Sequence, residues 1–211
     1  MVTSGGAAAG FGPATTIGRC LAVFLAASLL FGCGDDASKP AFNGTDITGA
    51  DYARGFSLTD SRGHRRGLAD FAGRAVAVFF GYTQCPDVCP TTLTQMAAVM
   101  EMLGQDAERL QVVFITVDPE RDTPALLAEY MPLFDARFIA LYGTRDETEK
   151  VTKDFRVFYR KSGDVSGNRY TVDHSAGLYL FDPAGRLRLY YKHGEQPGRI
   201  AADVRRLLAG E

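Results

Sequence analysis

Strand-length apolar runs alternate with helical hydrophobic spacing along most of this chain, and that alternation constrains the fold more than any other feature. Ala75–Phe80, Gln111–Val117 and Phe138–Tyr142 are short runs dominated by apolar residues. Strands this apolar are typical of a sheet that is covered by helices on both faces. Each run is followed by residues with the 3.6-residue spacing of an amphipathic helix. The predicted helices are Leu93–Leu103, Leu126–Phe134, Val151–Phe158 and Ile200–Leu208.

Two further strand pairs are predicted at hairpins. Near the start of the globular part, Asp60–Gly63 has the composition of a turn between two short strands. Near the end, Gly177–Phe181 and Arg186–Tyr191 flank Asp182–Gly185, which has the Asp, Pro and Gly positions of a type I turn. The segment Lys161–Arg169, rich in Ser and Gly, is predicted as a loop.

This order of elements predicts an α/β domain over residues 54–211. Alternating strands and helices form a parallel sheet with helices on both faces, and hairpins add antiparallel edges. The arrangement is thioredoxin-like, with an N-terminal β-hairpin and a central, mostly parallel sheet flanked by helices.

The first 33 residues are predicted to be a signal peptide. Arg19 precedes a twelve-residue apolar run that ends before Gly32-Cys33. This is the length of a signal-peptide core, whereas a helix that crosses a bilayer needs about 20 residues. Leu30-Phe31-Gly32-Cys33 resembles a bacterial lipobox, in which the cysteine is lipidated and becomes the new N-terminus. The alternative is an uncleaved N-terminal anchor; both interpretations expose the domain to an oxidising compartment.

Residues 34–53 are polar and rich in Gly and Pro, which predicts a flexible tether between membrane and domain. Apolar residues make up 46% of the chain, so disorder of the remaining domain is excluded. The formal net charge is −2 and no basic tract stands out, so nucleic acid is excluded as a partner.

Two cysteines remain once Cys20 and Cys33 are assigned to the N-terminal segment. Cys85 and Cys89 follow the first central strand, where sites gather in open α/β sheets and where a helix N-terminus lowers thiol pKa values. Their four-residue spacing is one longer than in ordinary Cys-x-x-Cys oxidoreductases, and it suits two thiolates on one soft ion, although a disulfide remains possible. Two sulfurs rarely complete a metal site, so a third ligand is expected.

Three histidines are available as that ligand. His64 and His193 lie in predicted surface loops and are expected to be solvated. His174 immediately precedes the predicted strand Gly177–Phe181, and in a thioredoxin fold the loop that enters this strand lies against the cysteine motif. The alternative for His174 is a hydrogen-bonded loop residue with no metal role.

Three motifs in order resemble the Sco/SenC family: Gly81-Tyr-Thr-Gln-Cys-Pro-Asp-Val-Cys-Pro-Thr-Thr-Leu93, Thr116-Val-Asp-Pro-Glu-Arg-Asp-Thr-Pro124 and Val172-Asp-His-Ser175. The upstream Phe56-Ser-Leu-Thr-Asp60 also matches, so the resemblance covers residues 50–211. It implies a membrane-tethered copper protein that helps to assemble the CuA centre of cytochrome c oxidase. By position, it implies Cys85, Cys89 and His174 as ligands of Cu(I) or Cu(II).

The resemblance also implies a partner and a location. The partner is the copper-accepting subunit of cytochrome c oxidase. Many members of the family keep a transmembrane helix, whereas the lipobox-like segment of this chain predicts a monomer held by lipid at Cys33 on the extracytoplasmic face of a bacterial membrane. Three aspartates are candidates for supporting roles. Asp173 would orient the His174 ring or complete the coordination sphere, and Asp87 would tune the local charge or contact a docking partner. Asp118 would either line the pocket or cap the next segment.

Alternative chemistries use the same residues. Cys85 and Cys89 would be the redox pair of a thiol–disulfide oxidoreductase that reduces the cysteines of a target copper protein. A peroxidase of the peroxiredoxin type is disfavoured because Tyr82 stands where that chemistry needs Thr or Ser. A structural disulfide is disfavoured because so small a loop stabilises little.

Overall fold

The structure, a computed structural model, describes residues 1–10, 41–166 and 168–211. The chain divides into two compact units, Met1–Ala41 and Phe42–Glu211. In the first unit, residues 1–10 are exposed and contain no helix or strand. Residues 11–33 of the predicted signal peptide, including Cys33, and residues 34–40 of the predicted tether lie outside the described residues. No helix in the described ranges has both the length and the hydropathy needed to cross a bilayer.

The described residues of the second unit form ten strands in two sheets. The strands, in chain order, are β1 (Thr45–Asp46), β2 (Leu58–Asp60), β3 (Arg65–Arg66), β4 (Ala75–Gly81), β5 (Leu110–Thr116), β6 (Ile139–Tyr142), β7 (Tyr159–Asp164), β8 (Arg169–His174), β9 (Leu178–Phe181) and β10 (Leu187–Tyr191). Eight of them form one sheet in the order β1-β10-β9-β4-β5-β6-β2-β3, and β7 pairs with β8 in a separate two-stranded sheet.

Four α-helices pack on this framework. They are α1 (Val88–Leu103), α2 (Pro124–Tyr130), α3 (Arg145–Asp154) and α4 (Pro197–Leu208), and short 3₁₀ turns cover Leu68–Phe71, Gly104–Arg109 and Met131–Leu133. Every residue of β4 and β5 is buried, as expected for strands covered on both faces. The predicted α/β class, with a central sheet flanked by helices and an N-terminal hairpin formed by β2 and β3, is confirmed.

The parallel part of the sheet is smaller than predicted. Parallel pairing is confined to β4 with β5 and β5 with β6, so two of the seven pairings in the described eight-stranded sheet are parallel. The pairs β2–β3 and β9–β10 are antiparallel, as their predicted hairpin turns require. The difference comes from three further antiparallel pairs, β4–β9, β2–β6 and β1–β10, which join strands that are distant in sequence. The central βαβ units are as predicted, and their strands end together at Gly81 and Thr116.

The predicted tether is too long at its C-terminal end. From Phe42 onward the chain packs on the domain, and β1 pairs with the edge strand β10 through Thr45 and Asp46. The carboxylate of Asp203 on α4 accepts hydrogen bonds from the backbone N–H groups of Asn43 and Gly44, at 3.1 and 2.8 Å. The Gly- and Pro-rich composition does not reveal this, because the partners of those backbone groups lie about 160 residues away.

A second difference concerns Lys161–Arg169, which is predicted as a loop. The structure has a hairpin there: β7 and β8 pair from Tyr159 with His174 to Asp164 with Arg169. The burial of β8 alternates, with Tyr170 and Val172 buried and their neighbours exposed. Because only every second residue packs on the domain, the segment is polar on average and has no continuous apolar run.

We expect Asp203→Ala to destabilise the domain by about 2–4 kcal/mol, because it removes acceptors from buried donors. Asp203 is fully buried and accepts from the Tyr191 hydroxyl at 2.8 Å as well as from residues 43 and 44. Urea unfolding of the domain measures the change. The control is Asp51→Ala, which removes an exposed carboxylate paired with Arg156 and should change stability by less than about 1 kcal/mol. Equal effects of the two substitutions would contradict this account.

Candidate metal centre

Cys89 lies in the first turn of α1 and is fully buried against the end of β4. Glycine at position 81 permits this close approach, because a Cβ there would lie 2.7 Å from the Cys89 sulfur and 2.8 Å from the ring of Phe114. The Gly81 carbonyl also accepts a 2.8 Å hydrogen bond from the N–H of Val117. Residue 81 therefore joins the ends of two strands while leaving room for a sulfur.

Cys85 lies before the helix rather than on it. Its N–H donates to the Tyr82 carbonyl at 3.3 Å, so it sits in a turn, and α1 begins three residues later at Val88. The two sulfurs therefore do not share a helical face; a turn brings Cys85 back toward Cys89. Cys85 is half-buried, and both cysteines are free thiols in the described chain.

His174 is the last residue of β8 and reaches the cysteines from the hairpin. Its ring packs edge-on against Tyr82 and Phe79, with ring centroids 6.0 and 6.3 Å away. Nε2 lies 3.5 Å from the Cys89 sulfur. Nδ1 lies 3.0 Å from the carbonyl oxygen of Ser175, and because a carbonyl can only accept, Nδ1 carries the proton. The lone pair of Nε2 therefore faces the sulfurs.

The three predicted ligands meet in space. One donor atom from each of Cys85, Cys89 and His174 lies within 4.8 Å of the other two. The group opens into a cavity of about 430 Å³ that is lined by Tyr82, Pro86 and residues 171–174, among others. A site of this kind is shielded on one side and accessible on the other.

The two thiols differ in acidity because they share one proton. The hydrogen bond from the Cys89 thiol lowers the pKa of Cys85 to about 4, with help from the backbone N–H groups of Asp87 and Cys89, although burial opposes the shift. The same hydrogen bond, together with burial, raises the pKa of Cys89. The metal-free pair is therefore one thiolate at Cys85 and one thiol at Cys89 at neutral pH.

A buried carboxylate beneath the turn holds the cysteine loop in position. Asp122 accepts hydrogen bonds from the Thr83 N–H at 3.1 Å, the Thr83 hydroxyl at 2.6 Å and the Thr116 hydroxyl at 2.6 Å. Burial raises the pKa of Asp122, and the two threonine hydroxyls oppose that shift. Asp122 thus connects the turn before Cys85 to the end of β5.

Sequence reasoning missed the neighbouring group formed by Asp118, Arg121 and Tyr170. Asp118 is fully buried; it accepts from the Tyr170 hydroxyl at 2.8 Å and pairs with Arg121 at 2.5 Å. The prediction left Asp118 either lining the pocket or capping the next segment, and neither describes this contact with the hairpin. The motif Thr116–Pro124 already contained Asp118 and Arg121, but Tyr170 lies about fifty residues away.

The two other histidines lie outside the ligand cluster. His64 is exposed beside Asp60, and His193 is an exposed residue whose Nδ1 lies 3.2 Å from the Thr92 hydroxyl. Neither joins the ligand cluster, as predicted.

The two aspartates predicted to support the site point away from it or are exposed. Asp87 is exposed, and Asp173 pairs with Arg160 at 3.5 Å on the exposed side of β8. Successive residues of a strand point to opposite faces, so Asp173 neither orients the His174 ring nor joins the ligand cluster.

The three donors have the spacing and chemistry of a metal site. For first-row ions such as zinc, sulfur and nitrogen ligands lie about 2.0–2.3 Å from the ion, which separates two ligands by roughly 3.5–4 Å. The Cys89 sulfur and His174 Nε2 are already 3.5 Å apart. In the described chain no fourth His, Cys, Asp or Glu joins the group. Two thiolates and one imidazole favour a soft ion of low coordination number.

Known proteins that are similar to this chain, in sequence and in structure, point to one family. The SCO1/SenC family model matches residues 44–209. The mitochondrial SCO2 homologue of Bos taurus is 39% identical over 156 residues, covering 73% of this chain and 59% of its own length. The aligned region thus spans about three fifths of that curated relative.

Two solved structures show the same fold. The copper-bound structure of ScoI from Bradyrhizobium japonicum has a TM-score of 0.67 and 40% identity, with coverage of 72% of this chain and 97% of that chain. A SCO1/SenC family lipoprotein from Bacillus anthracis has a TM-score of 0.66 and 25% identity, with coverage of 79% and 99%. The thioredoxin-like fold class is confirmed by these neighbours. Together with the family model, they show that the chain belongs to the SCO1/SenC family.

Proposed function

We propose that this protein binds one copper ion as cargo between Cys85, Cys89 and His174. The observation that carries the proposal is the meeting of two sulfurs and an oriented imidazole nitrogen within 4.8 Å of one another. Soft thiolate ligands favour Cu(I), and addition of water or another oxygen ligand would suit the same set to Cu(II). The similar ScoI from Bradyrhizobium japonicum was solved with copper bound.

Copper fits this ligand set better than structural zinc does. A structural zinc site has four protein ligands, and the described chain offers three. Copper also has the highest intrinsic affinity among the divalent first-row ions, so it needs little further selection by the protein. The half-buried Cys85 sulfur and the open cavity beside it leave one side of the ion accessible to an incoming ligand.

The biological role that suits an accessible copper site is transfer to another protein. We assign this chain to assembly of the CuA centre of cytochrome c oxidase, with the copper-accepting subunit of the oxidase as its partner. Family membership supports this role, and so does a donor set that a dithiol acceptor could replace stepwise from the open side.

The proposed location is the extracytoplasmic face of a bacterial membrane. Residues 1–32 would be removed as a signal peptide, lipid on Cys33, the new N-terminus, would hold a monomeric domain, and residues 34–41 would form the tether. The similar lipoprotein from Bacillus anthracis supports this arrangement. The folded domain then begins at Phe42 rather than at residue 54, because β1 is part of the sheet.

A second function, thiol–disulfide exchange, is favoured by the acidity of Cys85. A half-exposed thiolate is the attacking species in such exchange, and the buried Cys89 thiol would resolve the mixed disulfide. The two functions differ in their need for His174, since exchange requires only the sulfurs.

The first prediction is that the reduced soluble domain, residues 42–211, binds one equivalent of Cu(I). Cys85→Ser and Cys89→Ser should abolish stoichiometric binding because each removes a thiolate ligand, and His174→Ala should weaken it. Competition titration against a chromophoric Cu(I) chelator measures all four proteins. His193→Ala is the matched control, because that imidazole lies outside the cluster.

His174→Ala also separates the two functions in cells. Delivery requires the variant to fail in oxidase assembly, which is measured as the CuA absorbance of purified oxidase. Full assembly by this variant despite its weakened copper binding would argue against delivery and favour thiol reduction as the function.

The second prediction concerns the pH dependence of alkylation in the metal-free, reduced domain. The pKa of Cys85 is about 4, against an ordinary value of 9.0, so its thiolate is fully formed from about pH 5 upward. Iodoacetamide should therefore modify Cys85 at nearly constant rate between pH 6 and 8, and Cys89 far more slowly. Peptide mass spectrometry identifies the modified residue. A rate that rises about tenfold per pH unit over this range would show an ordinary thiol.

The third prediction tests the anchor. Expressed in a bacterial host, the full chain should partition with membranes and incorporate labelled palmitate, and Cys33→Ser should lose the label. Cys20→Ser is the control, because Cys20 lies inside the predicted signal peptide. Equal labelling of the parent and the Cys33 variant would exclude lipidation at this cysteine.

A further inference from the structure

In the part of the chain that the structure describes, the hairpin that carries His174 has no strand pairing with the main sheet. Among the described strands, β7 and β8 bond to each other alone. The position of His174 therefore depends on side chains at the inner face of β8, where Tyr170 and Val172 are buried. Since residues 170, 172 and 174 share that face, whatever fixes Tyr170 also sets the height and angle at which His174 meets the sulfurs.

Arg121 touches both the cysteine turn and the hairpin. Its Nη1 donates to the Tyr170 carbonyl at 2.8 Å and to the Gln84 side-chain oxygen at 3.2 Å. Gln84 is the residue before Cys85, so one guanidinium spans the cysteine turn and the hairpin. The Arg121 side chain is only 5% exposed.

Aromatic stacking adds to these hydrogen bonds. The guanidinium carbon of Arg121 lies 3.5 Å from the centre of the Tyr170 ring and 5.7 Å from the centre of the Tyr82 ring. Tyr82 is in edge contact with His174. A planar guanidinium can stack and donate in its own plane at the same time, which an ammonium group cannot do.

Asp118 keeps this arrangement neutral and attached to the sheet. Its carboxylate pairs with Arg121 Nε and accepts from the Tyr170 hydroxyl, and its N–H donates to the Thr116 hydroxyl at 3.0 Å. A buried ion pair by itself is weak evidence for a stabilising role. The contacts of Arg121 with two separate segments of the site are what set it apart.

We propose that Arg121 is a positioning residue that holds the β7–β8 hairpin on the cysteine turn and so keeps His174 within bonding distance of a copper ion. The proposal rests on the copper function proposed above. Arg121 then acts on copper affinity through the position of His174 and not through the two thiolate ligands.

A double-mutant cycle tests the proposal on the reduced soluble domain, with Cu(I) as the probe. Arg121→Gln should lower Cu(I) affinity by about 10-fold to 100-fold, the usual effect of losing a residue that orients a ligand. In the His174→Ala background the same substitution should change affinity by less than about twofold, because the group it positions is gone. Arg160→Gln is the matched control: it lies on the same hairpin, is exposed and pairs with Asp173.

A second measurement separates positioning from general destabilisation. In the metal-free domain labelled with ¹⁵N-histidine, the parent His174 should show the Nδ1–H form, and Arg121→Gln should give averaged shifts of a mobile ring. Arg121→Lys keeps the charge but loses the planar guanidinium that donates in its own plane and stacks on the Tyr170 ring, so its effect should resemble that of Arg121→Gln. It also serves as the test variant if the Gln variant does not fold.

Three outcomes would overturn the inference. Unchanged Cu(I) affinity in folded Arg121 variants would show that Arg121 is not needed to hold the hairpin on the cysteine turn. An equal loss in the His174→Ala background would show that Arg121 acts through the cysteines or through overall stability. Unchanged affinity in His174→Ala alone would remove His174 from the ligand set, and that result contradicts the proposed three-ligand site independently of any Arg121 variant.

Discussion

Parallel pairing of β4 with β5 is the constraint on which the rest of the molecule depends. The two strands are buried throughout and stay in register over seven residue pairs, from Ala75 with Leu110 to Gly81 with Thr116. Their carboxyl ends therefore stop side by side, so the cysteine turn and the Asp118–Asp122 loop leave the sheet as neighbours. In open α/β sheets, this edge is where binding sites form. Asp122 and the two threonines then lock those loops together.

The site combines a rigid part with a separately attached part. Cys89 is fixed by the first turn of α1 and by its close approach to Gly81. His174 arrives on a hairpin that is joined to the domain through side chains rather than through strand pairing. The copper-delivery role proposed above would benefit from such a division, because the sulfurs can hold an ion while the third ligand is gained or lost. The contacts of Arg121 and Asp118 with Tyr170 lie at the junction of the two parts.

Electrostatics give the two sulfurs different properties within one turn of chain. A single shared proton leaves Cys85 as a half-exposed thiolate and Cys89 as a buried thiol. The Ser175 carbonyl fixes the proton of His174 on Nδ1, so a neutral nitrogen lone pair faces the sulfurs. Metal binding and disulfide exchange both begin from this state.

The sequence by itself determined the α/β class, the central strands and helices, and the three residues that meet at the site. These follow from local information: β4, β5 and α1 have strong hydrophobic periodicity, and the cysteines lie four residues apart at a strand end. Tertiary structure alone decided that residues 42–53 belong to the domain, that 159–174 is a hairpin and that Arg121 joins it to the cysteine turn. Each of these depends on partners far apart in sequence, such as Gly44 with Asp203 and Asp118 with Tyr170. Polar groups of this kind leave no periodic pattern, because their hydrogen bonds are satisfied only once the chain has folded.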